Sequence, residues 1–199
     1  DSSDKVAEYI AECKEWHISL LPPDINEGES GFSVSGNAIR YGLSAIKSVG
    51  KPVTEVILAE RERNGPFRSM EDFVGRMSMK EVNKRTLENF IKSGALDTLP
   101  GTRRQKMAVA PTMLEEKARE KKSMFEGQLS LFDIAGEEDR NEFQITFPDV
   151  GEYSKDELLA FEKEILGVYI SGHPLDDYED TWRRNITATS AQFIVDEET

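Results

Sequence analysis

The sequence predicts a mainly α-helical chain with a small N-terminal β-hairpin and a long, partly disordered linker. Three observations carry that expectation. Between residues 42 and 110, apolar side chains recur at helical spacing in short stretches, each punctuated by cap residues, Gly or Pro. At 32–41 they alternate instead, as a strand pair requires. At 123–150 no period is sustained. Composition agrees: 32% charged and 38% hydrophobic residues are high and low for one compact globule of 199 residues.

The elements follow in order. Residues 4–16 (DKVAEYIAECKEW) place Val6, Tyr9, Ile10 and Cys13 at helical spacing, with Ser3 as a possible N-cap. LLPPDINEG comes next, and its tandem proline imposes an extended path. GFSVSGNAIRYG reads as a hairpin, with Phe32 and Val34 on one arm, Ile39 and Tyr41 on the other, and SGN at the turn. A helix at about 42–47 is stopped at Ser48-Val49-Gly50. A second, about 51–63, carries Pro52 in its first turn and ends at Gly65-Pro66. Ser69 caps a short helix through Phe73. Ser78 with Glu81 makes a capping box for a helix through about Ser93, stopped by Gly94. Thr102 with Gln105 forms the same box for a helix that Pro111 should end or kink. Residues 112–122 are helical but polar on most faces. Ser154 with Glu157 opens a last helix, whose stripe of Leu158, Leu159, Phe161, Ile165, Leu166, Tyr169 and Ile170 should run to Gly172-His173-Pro174. The stretches 42–63 and 84–105 share an outline of helix, small-residue turn, helix.

Charge divides the chain. Residues 1–39 carry a net −6, 40–110 a net +6 (14 basic, 8 acidic), and 111–199 a net −13. A basic block inside an acidic chain suggests a polyanion-facing module between segments that avoid nucleic acid. The single Cys13 excludes an internal disulfide and suits a reducing cytosol, and with only His17 and His173 beside it no thiolate zinc cluster can form. No apolar run approaches a membrane span, so no membrane partner and a cytoplasmic location are expected. The start at DSSDKVAEYI, without Met, reads as a piece of something longer.

GLSAIKSVGKPVTEVILAERE resembles a helix-hairpin-helix motif, a sequence-indifferent binder of the DNA backbone. Gly50 lets a phosphate approach without a Cβ in the way. The amides of Val49 to Lys51 open a helix, where free N–H groups and the macrodipole favour an anion. Lys47 and Lys51 flank the turn. Such motifs usually carry glycine at both turn positions, and Ser48 stands at the first. FIKSGALDTLPGTRRQK is a weaker second copy, with Lys92, Ser93, Gly94 and Ala95 as its turn and Arg103, Arg104 and Lys106 nearby. Paired, the two would make a tandem helix-hairpin-helix unit.

GQLSLF is similar to the clamp-binding linear motif of bacterial replication and repair proteins. By that resemblance Gln128 sets register through its amide, Leu129 and Ser130 complete the pattern, and Leu131 and Phe132 fill a pocket on the sliding clamp (the beta subunit).

LLAFEKEILGVYISGHPLDDY, taken with LPPDIN, IRYGLSAIKSVG, NGPFRSMEDF and NKRTLENFIKSGALDTL, resembles the alpha subunits of bacterial DNA polymerase III, the replicative C-family polymerases. The order and spacing of all five stretches match, over about residues 5–182. The resemblance implies the end of the fingers region at 1–41, the tandem DNA-binding unit at 42–110 and a linker with the clamp motif at 111–150. It further implies a helix packing on the core at 151–182 and, at 183–199, the lead-in to an OB-fold domain. It implies a DNA-directed DNA polymerase as parent, a nucleotidyltransferase whose catalytic carboxylates lie upstream, so that no catalytic residue, metal site or cofactor is expected here. Duplex DNA, the clamp and other replisome subunits are the implied partners. Two rivals differ in class. A repair module would pair such hairpins with a clamp peptide but would lack EKEILGVYISGHP. A small hydrolase or nuclease would use Ser171, His173, Asp176 and Asp177, whose spacing instead fits a helix stop.

Overall fold

In the computed structural model, the residues described are Lys5, Glu8, Tyr9, Glu12, Cys13, 15–125, 146–178 and Arg184. Three short strands come first: β1 (Ser19–Leu21), β2 (Ser33–Ser35) and β3 (Ala38–Arg40). The expected hairpin is β2–β3, with Val34 opposite Ile39 and Gly36 in a left-handed turn conformation. The third strand goes beyond that expectation. The leading residues of LLPPDIN pair parallel to β3, placing Leu20 opposite Ile39, and the expected extended path gives way at 25–27 to a turn in which Asp24 accepts the Asn26, Glu27 and Gly28 amides.

Among the described residues five helices follow: α1 (Lys51–Asn64), α2 (Met70–Arg76), α3 (Lys84–Lys92), α4 (Arg103–Phe125) and α5 (Lys155–Leu166). Cap chemistry sets most of their starts. The Ser69 hydroxyl accepts the Asp72 amide at 3.1 Å. Thr102 and Gln105 exchange hydrogen bonds at 3.0 and 3.1 Å, and Ser154 and Glu157 form a reciprocal capping box.

Several expectations are corrected. The helix at 42–47 is a single 3-10 turn, Leu43–Ala45, because Leu43 and Ser44 donate their amides to the 29–30 loop. Helix α3 starts at Lys84, not Ser78, since the Asn83 side chain takes the cap by accepting from Thr86. Pro111 neither ends nor separates α4, although it removes a ladder bond. Burial of Ala110, Met113 and Leu114 holds the helix on course, and Lys117 caps the Val74, Gly75 and Met77 carbonyls at the end of α2. Helix α5 stops five residues early, where Gly167 adopts the left-handed conformation and donates to the Lys163 carbonyl. Tyr169 and Ile170 therefore lie past it.

Ile25, Leu43, Ile57, Phe73, Leu87, Phe90, Leu96, Met113 and Ile165 belong to one hydrophobic cluster, so the segments read from the sequence share a core. Phe67, Phe73 and Phe90 stack edge to face at 5.1 and 5.7 Å. Arg76 locks α1 to α2: it lies over the Phe67 ring, pairs with Glu60 at 2.8 Å and donates to the Gly65 carbonyl that ends α1. The 3-10 turn packs on α1, and α3 packs on both α4 and α5.

Candidate nucleic-acid interface

The first hairpin is the 3-10 turn, the loop 46–50 and α1. Ile46 and Val49 are buried, and the Val49 amide closes the loop on the Ile46 carbonyl at 2.9 Å. That amide is committed, contrary to the expectation that it would face an anion. The Gly50 and Lys51 amides have no acceptor among the described residues, and Pro52 contributes no donor. Ser48, not a glycine, takes the left-handed position, with φ +65°. Gly50 is extended, and a Cβ there would meet only the Pro52 Cδ, at 3.5 Å. The space over Gly50 is thus open to something from outside. Lys47, Ser48, Gly50 and Lys51 are all exposed, and neither lysine has an ion-pair partner among the described residues.

The second hairpin has the opposite character. Ser93, Gly94 and Ala95 are buried; the Ser93 hydroxyl donates to the Phe90 carbonyl, and the Ala95 carbonyl accepts the Ile25 amide at 2.8 Å. Gly94 has φ +82°, and a Cβ on it would collide with the Arg103 guanidinium. Arg103 is buried and spent internally. Its Nε and Nη2 bind the Asp97 carboxylate at 3.0 and 2.6 Å, and its Nη1 donates to the Lys92 carbonyl at 3.0 Å. Lys106 is buried too, with Nζ 2.7 Å from the Leu96 carbonyl, and burial pushes its pKa down despite Asp97 and Glu152 nearby. Lys92 pairs with Glu164 at 3.3 Å over the Phe161 ring. Of the residues expected to bind DNA in this copy, only Arg104 keeps an exposed cation with no ion pair among the described residues, beside Tyr153.

A carboxylate already occupies the start of α4. Glu152 accepts the Arg103 and Arg104 amides at 2.8 and 3.1 Å, in the position where an anion meets a helix N-terminus. Desolvation raises its pKa, but the bonds from the Tyr153, Arg103 and Arg104 amides outweigh this and hold it below the ordinary value. Phe147 covers Gly101, and the Pro148 carbonyl accepts Gln105 Nε2 at 3.0 Å. Residues 146–150, expected as linker, therefore pack on the second hairpin.

The end of α5 meets the first hairpin. The Ile165 carbonyl accepts the Lys47 amide at 3.1 Å, and the Leu166 carbonyl accepts the Tyr41 hydroxyl at 2.8 Å. From α3, Asn89 Nδ2 donates to the Lys47 carbonyl at 2.6 Å. Sequence reading passed over Asn89 and Glu152. The signal for Asn89 was present: it is an amide flanked in sequence by Leu87, Phe90 and Ile91, all buried. Glu152 has no comparable signal, because its role depends on a contact 49 residues away.

Gln128, Leu129, Ser130, Leu131 and Phe132 lie outside the described residues. His173 and Asp176 form an exposed turn, in which the His173 amide donates to Asp176 Oδ2 at 2.6 Å and His173 Nδ1 accepts the Leu175 amide at 3.2 Å. No helix among the described residues is long and apolar enough to cross a membrane.

Comparison with known proteins places these features in a family. A family described as "Helix-hairpin-helix motif" matches residues 17–106, which contain both hairpins. The chain is 41% identical over 179 residues to the DNA polymerase III subunit alpha of Borreliella burgdorferi, covering 90% of this chain and 16% of that one. It is 41% identical over 177 residues to the corresponding subunit of Deinococcus radiodurans, covering 89% and 13%, and 41% identical over 179 residues to that of Thermus aquaticus, covering 88% and 14%. It thus spans only about one-sixth or less of the length of these relatives. With five helices and a three-stranded sheet among the described residues, and the helix-hairpin-helix motif in the matching region, the chain belongs to the DNA polymerase III alpha-subunit family, of which it corresponds to one segment.

Proposed function

We propose that the chain is a noncatalytic, DNA-gripping segment of a replicative polymerase, and that the first hairpin makes the grip. The observation that carries this reading is the exposed turn 47–51. Two lysines flank a glycine with open space above it, at the start of a 14-residue helix, and among the described residues neither lysine has an ion-pair partner and the Gly50 and Lys51 amides have no acceptor. Phosphate oxygens suit that arrangement, which offers donors and positive charge but no groups shaped to read base edges. Binding is expected to be indifferent to sequence and to fall steeply with salt. The test is duplex binding by Lys47→Glu/Lys51→Glu, which should weaken binding to every duplex while the fold is retained. Strong base specificity, or no effect in a folded protein, would count against the reading.

By the same proposal, Gln128–Phe132 acts as a sliding-clamp peptide. Burial of Leu131 and Phe132 in a clamp pocket would contribute about 1.5–3 kcal/mol each, reduced by the cost of ordering the segment. The resulting tether is weak alone, and gains from DNA binding by the same chain. Leu131→Ala/Phe132→Ala should abolish binding to a bacterial sliding clamp with little change in Tm. A melting point several degrees lower, or unchanged clamp binding, would rule the assignment out.

A further inference from the structure

We infer that Asn89 is the positioning residue of the DNA-facing turn, acting as a lock on the Lys47–Ser48 peptide; this deepens, and rests on, the reading of that turn as a phosphate grip. Asn89 is almost entirely buried, 7% exposed, in a helix that also buries Leu87, Phe90 and Ile91. An amide there is costly unless it is bonded. Its Nδ2 donates to a main-chain carbonyl 42 residues away, that of Lys47, at 2.6 Å.

The next residue explains why that carbonyl matters. Ser48 holds φ +65°, a region that costs an L-residue about 1–2 kcal/mol. The relief available to it is a flip of the Lys47–Ser48 peptide, which rotates the Lys47 carbonyl and the Ser48 amide together and returns Ser48 to negative φ. Asn89 opposes that flip by holding the carbonyl inward. The neighbouring peptide is fixed independently, since the Lys47 amide bonds the Ile165 carbonyl at 3.1 Å, and Ile46 and Val49 are buried on either side. A flip would turn the Lys47 carbonyl, a negative dipole end, toward the exposed side where the phosphate is to sit. The second hairpin thus serves the first as its brace.

Strain at Ser48 makes possible a rescue that a purely structural role would not allow. Asn89→Ala should lower duplex affinity about three- to tenfold and shift the Ser48 amide and Cα resonances, with α1 and α4 resonances unmoved. Ser48→Gly removes the left-handed penalty, so Asn89→Ala/Ser48→Gly should regain most of the affinity that Asn89→Ala loses. If folded Asn89→Ala binds as tightly as the parent, or Ser48→Gly gives no rescue, the lock is wrong. If the parent chain does not bind duplex, or Lys47→Glu/Lys51→Glu binds normally, the grip reading fails; unmoved Ser48 resonances in Asn89→Ala would then overturn the lock separately. Should Asn89→Ala not fold, Asn89→Asp keeps the shape, lacks the donor and decides the matter through the Ser48 resonances.

Discussion

Two hairpins of similar outline have opposite environments. Around residues 47–51 the turn is exposed, its lysines have no ion-pair partner among the described residues and the space over its glycine is open. Around 92–103 the glycine is covered by an arginine, that arginine is tied to Asp97, and Glu152 fills the helix start. The comparison teaches that a basic residue near a glycine turn is not by itself a phosphate site. What separates the two is where the guanidinium or ammonium group is already committed. On this reading, DNA contact falls to the first hairpin and support to the second.

The largest expected effect tests contact. Lys47→Glu/Lys51→Glu should cost duplex affinity about a hundredfold at low salt, since two attractions become repulsions and counterion release disappears. Arg103→Ala should act on the other side of the comparison, on stability. It leaves Asp97 without its partner and the Lys92 carbonyl without a donor. Asp97 is about half exposed, so we expect about 2 kcal/mol, below the range for fully buried pairs. Thermal unfolding measures the loss, and duplex affinity of the folded fraction should be unchanged. The glycines sharpen the contrast. Gly94→Ala should destabilise by about 1–2 kcal/mol through its positive φ and the clash with Arg103. Gly50→Ala should leave Tm nearly unchanged, because its φ is −91° and its Cβ space is open, yet should weaken duplex binding severalfold. Equal stability losses at both glycines would dissolve the distinction.

The smallest expected effect concerns pH. Desolvation notwithstanding, the Tyr153, Arg103 and Arg104 amides hold the Glu152 carboxyl below its ordinary pKa in the folded chain. A depressed carboxyl contributes stability that is fully present above its unfolded value, and this is lost as pH falls through the folded one. Between pH 6 and 3 the parent chain should therefore lose more Tm than Glu152→Gln does. An identical acid slope in both would mean that Glu152 does not hold the start of α4.

The sequence made the local elements legible where short-range chemistry decides them. Ser69, Thr102–Gln105 and Ser154–Glu157 cap the helices they were expected to cap, and α1 has nearly its expected bounds. It was less legible where tertiary contacts override local preference. Leu43–Ala45 is drawn into a single 3-10 turn by the 29–30 loop, and α4 runs through Pro111 because Met113, Leu114 and Lys117 are held by neighbouring elements. The candidate site divides in the same way. Lys47, Ser48, Gly50 and Lys51 lie on an exposed turn, as their spacing suggested. Ser93, Gly94, Ala95 and Arg103 match the outline too, but their burial follows from Ile25 and Asp97, which no local pattern relates to them.

The central claim, that one hairpin touches DNA and the other supports it, is tested most directly by the salt dependence of duplex binding. The measurement compares the parent chain with Lys47→Gln/Lys51→Gln and with Lys92→Gln/Arg104→Gln. Removing one lysine–phosphate pair should reduce the slope of log affinity against log salt by about 0.9. The account predicts a slope shallower by about 1.8 for the first double variant, and one within error of the parent for the second. Equal reductions for both variants, or a reduction confined to Lys92→Gln/Arg104→Gln, would contradict it.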